Sequence, residues 1–148
     1  MRPVFARLLA VAGLLVAAAV PAQDYRYHLY VDRDVNAATG CTVVHGPTTV
    51  AGVEARLTAE VTGTTVTLVS GADCSGGSFG ASSAVGGPHS VGLNNGTAGA
   101  DVVELSAPRS LFGSAGVVRV AVVAENAAAT TSDGLTSLPG GAPILLGL

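Results

Sequence analysis

Two stretches of this chain alternate apolar and polar residues with period two, and that alternation narrows the folds open to it. In Asp24-Tyr25-Arg26-Tyr27-His28-Leu29-Tyr30-Val31, residues Tyr25, Tyr27, Leu29 and Val31 share one face, while Arg26, His28 and Tyr30 share the other. Residues 53–61 repeat the pattern, with Val53, Ala55, Leu57, Ala59 and Val61 facing in and Glu54, Arg56, Thr58 and Glu60 facing out. Further strands are expected at 41–45, 65–70, 78–85, 102–107, 117–124 and 144–148, with a helical turn at 108–113. The breaks between them carry turn chemistry: Thr62-Gly63-Thr64, Gly86-Gly87-Pro88, Asn95-Gly96 and Asp133-Gly134. No segment has the 3.6-residue periodicity of an amphipathic helix. The expected fold is therefore all-β, a two-sheet antiparallel β-sandwich of Greek-key or jelly-roll type.

The first 22 residues do not belong to that fold. Arg2 and Arg7 precede an uncharged apolar run from Leu8 to Val20, and Val20-Pro21-Ala22 offers small residues to a peptidase. This reads as a signal peptide over 1–22, cut between Ala22 and Gln23, leaving a single domain over 23–148. The apolar run is shorter than the roughly 20 residues that span a bilayer, so no membrane span is expected in the mature chain. The expected location is secreted or periplasmic. All 7 basic residues are arginine and 10 residues are acidic. Such a chain offers no basic surface for counterion release, so no nucleic-acid partner is expected.

In an oxidising compartment Cys41 and Cys74 are expected to form a disulfide. The domain they would staple has a modest core, because its apolar residues are largely valine and alanine.

The loop after the first strand, Asp32-Arg33-Asp34-Val35-Asn36-Ala37-Ala38-Thr39-Gly40, places oxygen side chains at alternate positions. Asp32, Asp34 and Asn36 could converge on one hard cation such as Ca²⁺. The run departs from an EF-hand loop, with Ala37 in place of the glycine and Val43 in place of the bidentate glutamate. A turn in which Asp and Asn side chains bond their own backbone fits the same residues.

Tyr30-Val31-Asp32 followed by Asp34, Asn36 and Ala38-Thr39-Gly40 resembles the Asp-x-Asp-x-Asn-x-Ala-Thr-Gly loop of β-sandwich domains similar to family 9 carbohydrate-binding modules. The segment Asp101-Val102-Val103-Glu104-Leu105-Ser106-Ala107-Pro108-Arg109-Ser110-Leu111-Phe112-Gly113 is similar to the Glu-x-x-x-Pro-x-x-x-Leu/Phe segment of that group. The resemblance spans about residues 24–124. It implies a β-sandwich, a glycan or cell-surface partner, and a structural Ca²⁺ near Asp32, Asp34 and Asn36. Sugar recognition in that family is associated with paired tryptophans, and this chain contains none.

Catalytic patterns are sparse. Gly76-Gly77-Ser78-Phe79-Gly80 matches the G-x-S-x-G of a nucleophile elbow, but no helix pattern follows it and the last histidine, His89, precedes Asp101. His28, His45 and His89 lack short metal-ligand spacing and read as strand or loop residues. Glu54 and Glu60 stand about 20 Å apart at strand rise, too far for paired acid-base work. Asn95-Gly96-Thr97 is a formal glycosylation sequon and also a hairpin-turn dipeptide. The chain is thus expected to be a non-catalytic accessory or binding module, or else a structural or surface-adhesion protein whose final strand pairs with a partner.

Overall fold

The computed structural model describes residues 24–92, 94–96 and 102–148. The signal peptide expected over 1–22, its expected cut between Ala22 and Gln23, and residues 97–101, which include the sequon's Thr97, lie outside the described residues. The chain forms strands β1 (Asp24–Asp32), β2 (Cys41–His45), β3 (Thr48–Val53), β4 (Ala55–Thr62), β5 (Thr65–Ser75), β6 (Ser78–Phe79), β7 (Ser83–Ala84), β8 (Ser90–Gly92), β9 (Val102–Glu104), β10 (Val117–Asn126), β11 (Ser132–Leu135) and β12 (Ile144–Gly147). A short 3-10 turn at Arg109–Phe112 occupies the expected helical position. The fold is all-β. A large antiparallel sheet runs in the order β11-β10-β1-β4-β5-β6, with β12 also on β10 and β7 on β5. Two small sheets, β2-β3 and β8-β9, complete a sandwich-like arrangement of unequal layers.

The alternation in the sequence sets these faces. In β4, Ala55, Leu57, Ala59 and Val61 are buried, as the pattern predicts. They pack with Val31, Val69, Val118 and Leu111 of the 3-10 turn into one core. β1 is central and is covered on both sides. Its other face carries Tyr30, which packs with Ala121 and Val123 of β10 and Val50 and Val53 of the β2-β3 hairpin into a second core.

Several boundaries differ from expectation. Residues 53–61 do not form one strand: Val53 ends β3, and the chain turns a corner at Glu54 before β4 begins in the main sheet. The Glu54 amide donates to the Val31 carbonyl, which fixes that corner. β3, β8 and β11 were not expected, and residues 78–85 hold two two-residue strands in place of a continuous one. β12 pairs with β10 of its own sheet, in register from Val117↔Gly147 to Val120↔Ile144, so its inner edge is filled from within the chain.

Cys41 and Cys74 form a disulfide with Cα atoms 5.9 Å apart. It ties the start of β2 to the end of β5 and anchors the covering hairpin to the main sheet. Gly76 and Gly77 both adopt positive φ, 60° and 80°, between paired β5 and β6. This is the backbone of a two-residue hairpin turn. The G-x-S-x-G segment therefore joins strand to strand, not strand to helix.

Candidate functional site

Three places gather polar chemistry. The first is the β1-β2 loop. Asp32, at the buried end of β1, is 3% exposed. Its Oδ1 accepts the Asn36 amide N–H at 3.1 Å, and Asp34 Oδ1 accepts the same N–H at 3.0 Å. Asn36 Oδ1 accepts the Ala38 N–H at 3.1 Å, an Asx-type turn. The loop lies against the hairpin: a Cβ on Gly52 (φ 75°) would stand 2.6 Å from Asn36 O, and one on Gly40 (φ 64°) 2.6 Å from Val53 O.

Asp32 and Asp34 come together there with Glu54, their nearest oxygens lying within 4.8 Å of one another. Asn36 directs its side-chain oxygen to the backbone. Glu54 was assigned to a solvent face by the alternation, but the corner after β3 turns it into the loop. Its Oε2 accepts the Arg33 N–H at 2.7 Å, and Thr39 Oγ1 lies 3.2 Å from its Oε1. The Thr39 hydroxyl, with one proton to give, faces Asp34, Glu54 and the Asn36 carbonyl together. On the other side, Arg119 Nη2 stands 2.7 Å from Asp32 Oδ2. That contact misses hydrogen-bond geometry, so it acts as an ion pair and leaves Oδ2 without a hydrogen-bond donor.

The second place is a buried polar chain beneath the β2-β3 hairpin, which spacing along the sequence does not reveal. His28 and Tyr30 lie on β1, His45 ends β2, Thr58 lies on β4 and Glu125 on β10. His28 Nε2 is 3.1 Å from Glu125 Oε1, and His45 Nδ1 is 2.9 Å from Glu125 Oε2. The outer ring nitrogens meet hydroxyls, His28 Nδ1 at 3.0 Å from Thr58 Oγ1 and His45 Nε2 at 2.5 Å from Tyr30 Oη. One assignment satisfies every group: each hydroxyl donates to an imidazole, and each imidazole donates to one oxygen of Glu125. Burial pushes His28 below its ordinary value, against the pull of Glu125. Burial alone would raise Glu125, but hydrogen bonds from His28 and His45 outweigh it and hold the carboxyl below its usual range. Burial raises the Tyr30 phenol to about 12, which keeps it a donor. His89 lies elsewhere, its Nδ1 accepting the Ser106 N–H at 3.2 Å.

The third place is a surface groove along β10 and β11. One part, of about 340 Å³, is lined by Tyr27, Val122, Ala124, Asp133, Gly134 and Leu135. The adjoining part, of about 210 Å³, shares Ala124 and Asp133 and adds Tyr25, Asn126 and Thr131. The two tyrosine rings are 6.3 Å apart, set on one face by the alternation of β1. Asp133 and Leu135 are exposed. Apolar ring faces beside carboxylate, amide and hydroxyl groups suit a ligand with both apolar faces and hydroxyls.

Among the described residues, no helix is long and apolar enough to cross a membrane. No protein-family model matches the chain, and comparison with curated proteins and with solved structures gives no match.

Proposed function

We propose that this protein is an exported, non-catalytic binding module whose ligand is a glycan held in the groove of Tyr25, Tyr27 and Asp133. The observation that carries the reading is the adjacency of the two tyrosine rings on one strand face, 6.3 Å apart, next to the exposed Asp133 carboxylate. Sugars present apolar C–H faces that stack on aromatic rings and hydroxyls that bond carboxylates and amides, and this groove offers both partners. At about 340 Å³ its larger part falls within the usual 300–1,000 Å³ of small-molecule sites. The apolar start of the chain and the Cys41–Cys74 disulfide support export. In this reading the Asp32, Asp34 and Glu54 carboxylates hold a structural Ca²⁺ that stiffens the β1-β2 loop, with Asn36 shaping the turn.

Retention on a panel of immobilised oligosaccharides tests the proposal. The mature protein is expected to be retained by at least one glycan, and Asp133→Ala, an exposed substitution, to reduce that retention without changing the melting midpoint. Retention by none of the panel, or retention unchanged in both Asp133→Ala and Tyr27→Ala, would contradict it.

A second reading, a structural or surface-adhesion protein, rests on a different observation. Leu138, Leu145, Leu146, Leu148 and Val117 are all exposed near β12, whose described pairing is with β10 alone. An apolar sheet edge of this kind pairs readily with another chain. Concentration-dependent self-association without glycan retention would favour it.

A further inference from the structure

The chain Thr58–His28–Glu125–His45–Tyr30 has the parts of a metal centre as well as those of a hydrogen-bonded clamp. Two imidazole nitrogens and a carboxylate lie within 4.8 Å of one another, brought from β1, β2 and β10. We propose that His28 Nε2, His45 Nδ1 and one carboxylate oxygen of Glu125 bind a single zinc ion that joins the β2-β3 hairpin to the main sheet.

Three observations carry this assignment. The donor set, two imidazoles and one carboxylate, is one that zinc takes readily, whereas Ca²⁺ takes oxygen ligands. The spacing is close to what the ion requires. Ligands at about 2.0–2.2 Å in a tetrahedral array stand about 3.3–3.5 Å apart, and here His28 Nε2 is 3.1 Å from Glu125 Oε1 while His45 Nδ1 is 2.9 Å from the other oxygen, Oε2. To serve one ion the Glu125 carboxylate must swing aside, so that one oxygen faces both nitrogens and the ion takes the place to which the two ring N–H groups now point. Finally, both imidazoles are already oriented from behind. Thr58 and Tyr30 place a hydroxyl on the ring nitrogen that would not bind the ion, the outer support that bound histidines regularly have.

The protons balance without loss from either ring. On binding, each imidazole proton moves from the nitrogen facing Glu125 to the nitrogen facing the hydroxyl, and that hydroxyl turns from donor to acceptor. The His45 side chain is 14% exposed and that of Glu125 10% exposed, so the cluster reaches solvent at that end, from which an ion and a water as fourth ligand would come. Arg56, opposite Tyr30 in the pairing of β1 and β4 and stacked over Phe79 at 4.6 Å, is the neighbouring cation that would oppose the ion's charge.

The test uses the full mature protein with its disulfide intact, stripped by chelator and titrated with Zn²⁺ or, as a spectroscopic substitute, Co²⁺. Saturable one-to-one binding is expected, with a melting midpoint that rises with free zinc and a Co²⁺ absorption typical of a four-coordinate nitrogen and oxygen site. The imidazole ¹⁵N resonances of His28 and His45 should shift on zinc addition while those of His89 do not. Glu125→Gln should abolish binding. Tyr30→Phe keeps all three ligands and should weaken binding about 10- to 100-fold. If Glu125→Gln fails to fold, the wild-type imidazole shifts and Tyr30→Phe decide the matter. Absence of saturable binding by folded wild-type protein, binding that shifts His89 alone, or binding unchanged in Glu125→Gln would overturn the assignment and leave the cluster as a hydrogen-bonded clamp.

Discussion

Removing the Cys41–Cys74 bridge should destabilise the domain by an amount the structure allows to be worked out. The cysteines are 33 positions apart, so the bond closes a long loop that contains β2, β3, β4 and most of β5. The chain-entropy relation for a loop of this length gives a loss of about 12.6 cal/mol/K of freedom in the unfolded chain, or about 3.8 kcal/mol at 25 °C. Set against a total of roughly 5–15 kcal/mol for a typical domain, this is a large share. For a domain of this size, about 3–5 °C per kcal/mol puts the fall in melting midpoint at roughly 11–19 °C. The perturbation is the double variant Cys41→Ala, Cys74→Ala. Alanine suits the Cys41 site, which is 2% exposed and apolar. Urea denaturation followed by far-UV and near-UV circular dichroism measures both the stability and its denaturant slope. The slope should rise, because an uncrosslinked chain exposes more surface when unfolded. A loss below about 1 kcal/mol with an unchanged slope would refute the view that the staple acts by restricting the unfolded chain.

Three further outcomes are expected. Arg119→Ala removes the partner of a carboxylate that is 3% exposed, and the Arg119 hydrogen bond to the Ala51 carbonyl with it. A loss of about 3–5 kcal/mol in denaturant unfolding is expected, and a loss below 1 kcal/mol would contradict the ion-pair account. Acid should destabilise the protein in two stages. His28 has a lowered folded value, so the unfolded chain binds more protons as pH falls below 6.5, and Glu125 adds the same effect below 4.5. His45, Arg56 and Glu125 are the charged or titratable groups acting on His28. Melting midpoints measured from pH 8 to 4 should therefore fall on acidification, and a midpoint unchanged between pH 7 and 5 would contradict the buried-histidine account. Millimolar Ca²⁺ should raise the melting midpoint over that in chelator, and Asp34→Ala should erase the difference. No difference in the wild-type protein would remove the cation from the β1-β2 loop.

The parts of the fold legible in the sequence were those carried by local alternation. β1 and β4 have uninterrupted period-two patterns, and their inward residues, Val31, Ala55, Leu57, Ala59 and Val61, are buried. β3 was missed because Pro47 and Gly52 punctuate Thr48–Val53 as if it were a turn. The same alternation that identified β4 misled at Glu54. It runs unbroken across the corner where the chain changes sheets, so nothing in the pattern marks the turn that makes Glu54 part of the loop. The Cys41–Cys74 bridge was legible from the even number of cysteines and the expected oxidising compartment.

The His28, His45 and Glu125 cluster was not legible, and the reason is register. In the antiparallel pairing of β1 and β10, His28 lies opposite Val123 and Arg26 opposite Glu125, so His28 and Glu125 are diagonal neighbours on one face. That relation needs the alignment of strands about 97 positions apart in sequence. Nothing local to either residue encodes it. The face of β1 that carries Arg26, His28 and Tyr30 gives no local sign of what covers it; the β2-β3 hairpin packs over Tyr30. The groove was half legible: Tyr25 and Tyr27 shared a face in the sequence, whereas β11, which brings Asp133 beside them, was not expected.

Amide chemical-shift mapping, with the ¹⁵N-labelled mature protein titrated with the best-retained oligosaccharide of the panel, tests the binding-module account most directly. The account predicts saturable shifts concentrated at Tyr25, Tyr27, Asn126, Asp133 and Leu135. Shifts centred elsewhere, or no saturable shift with any glycan, would contradict it.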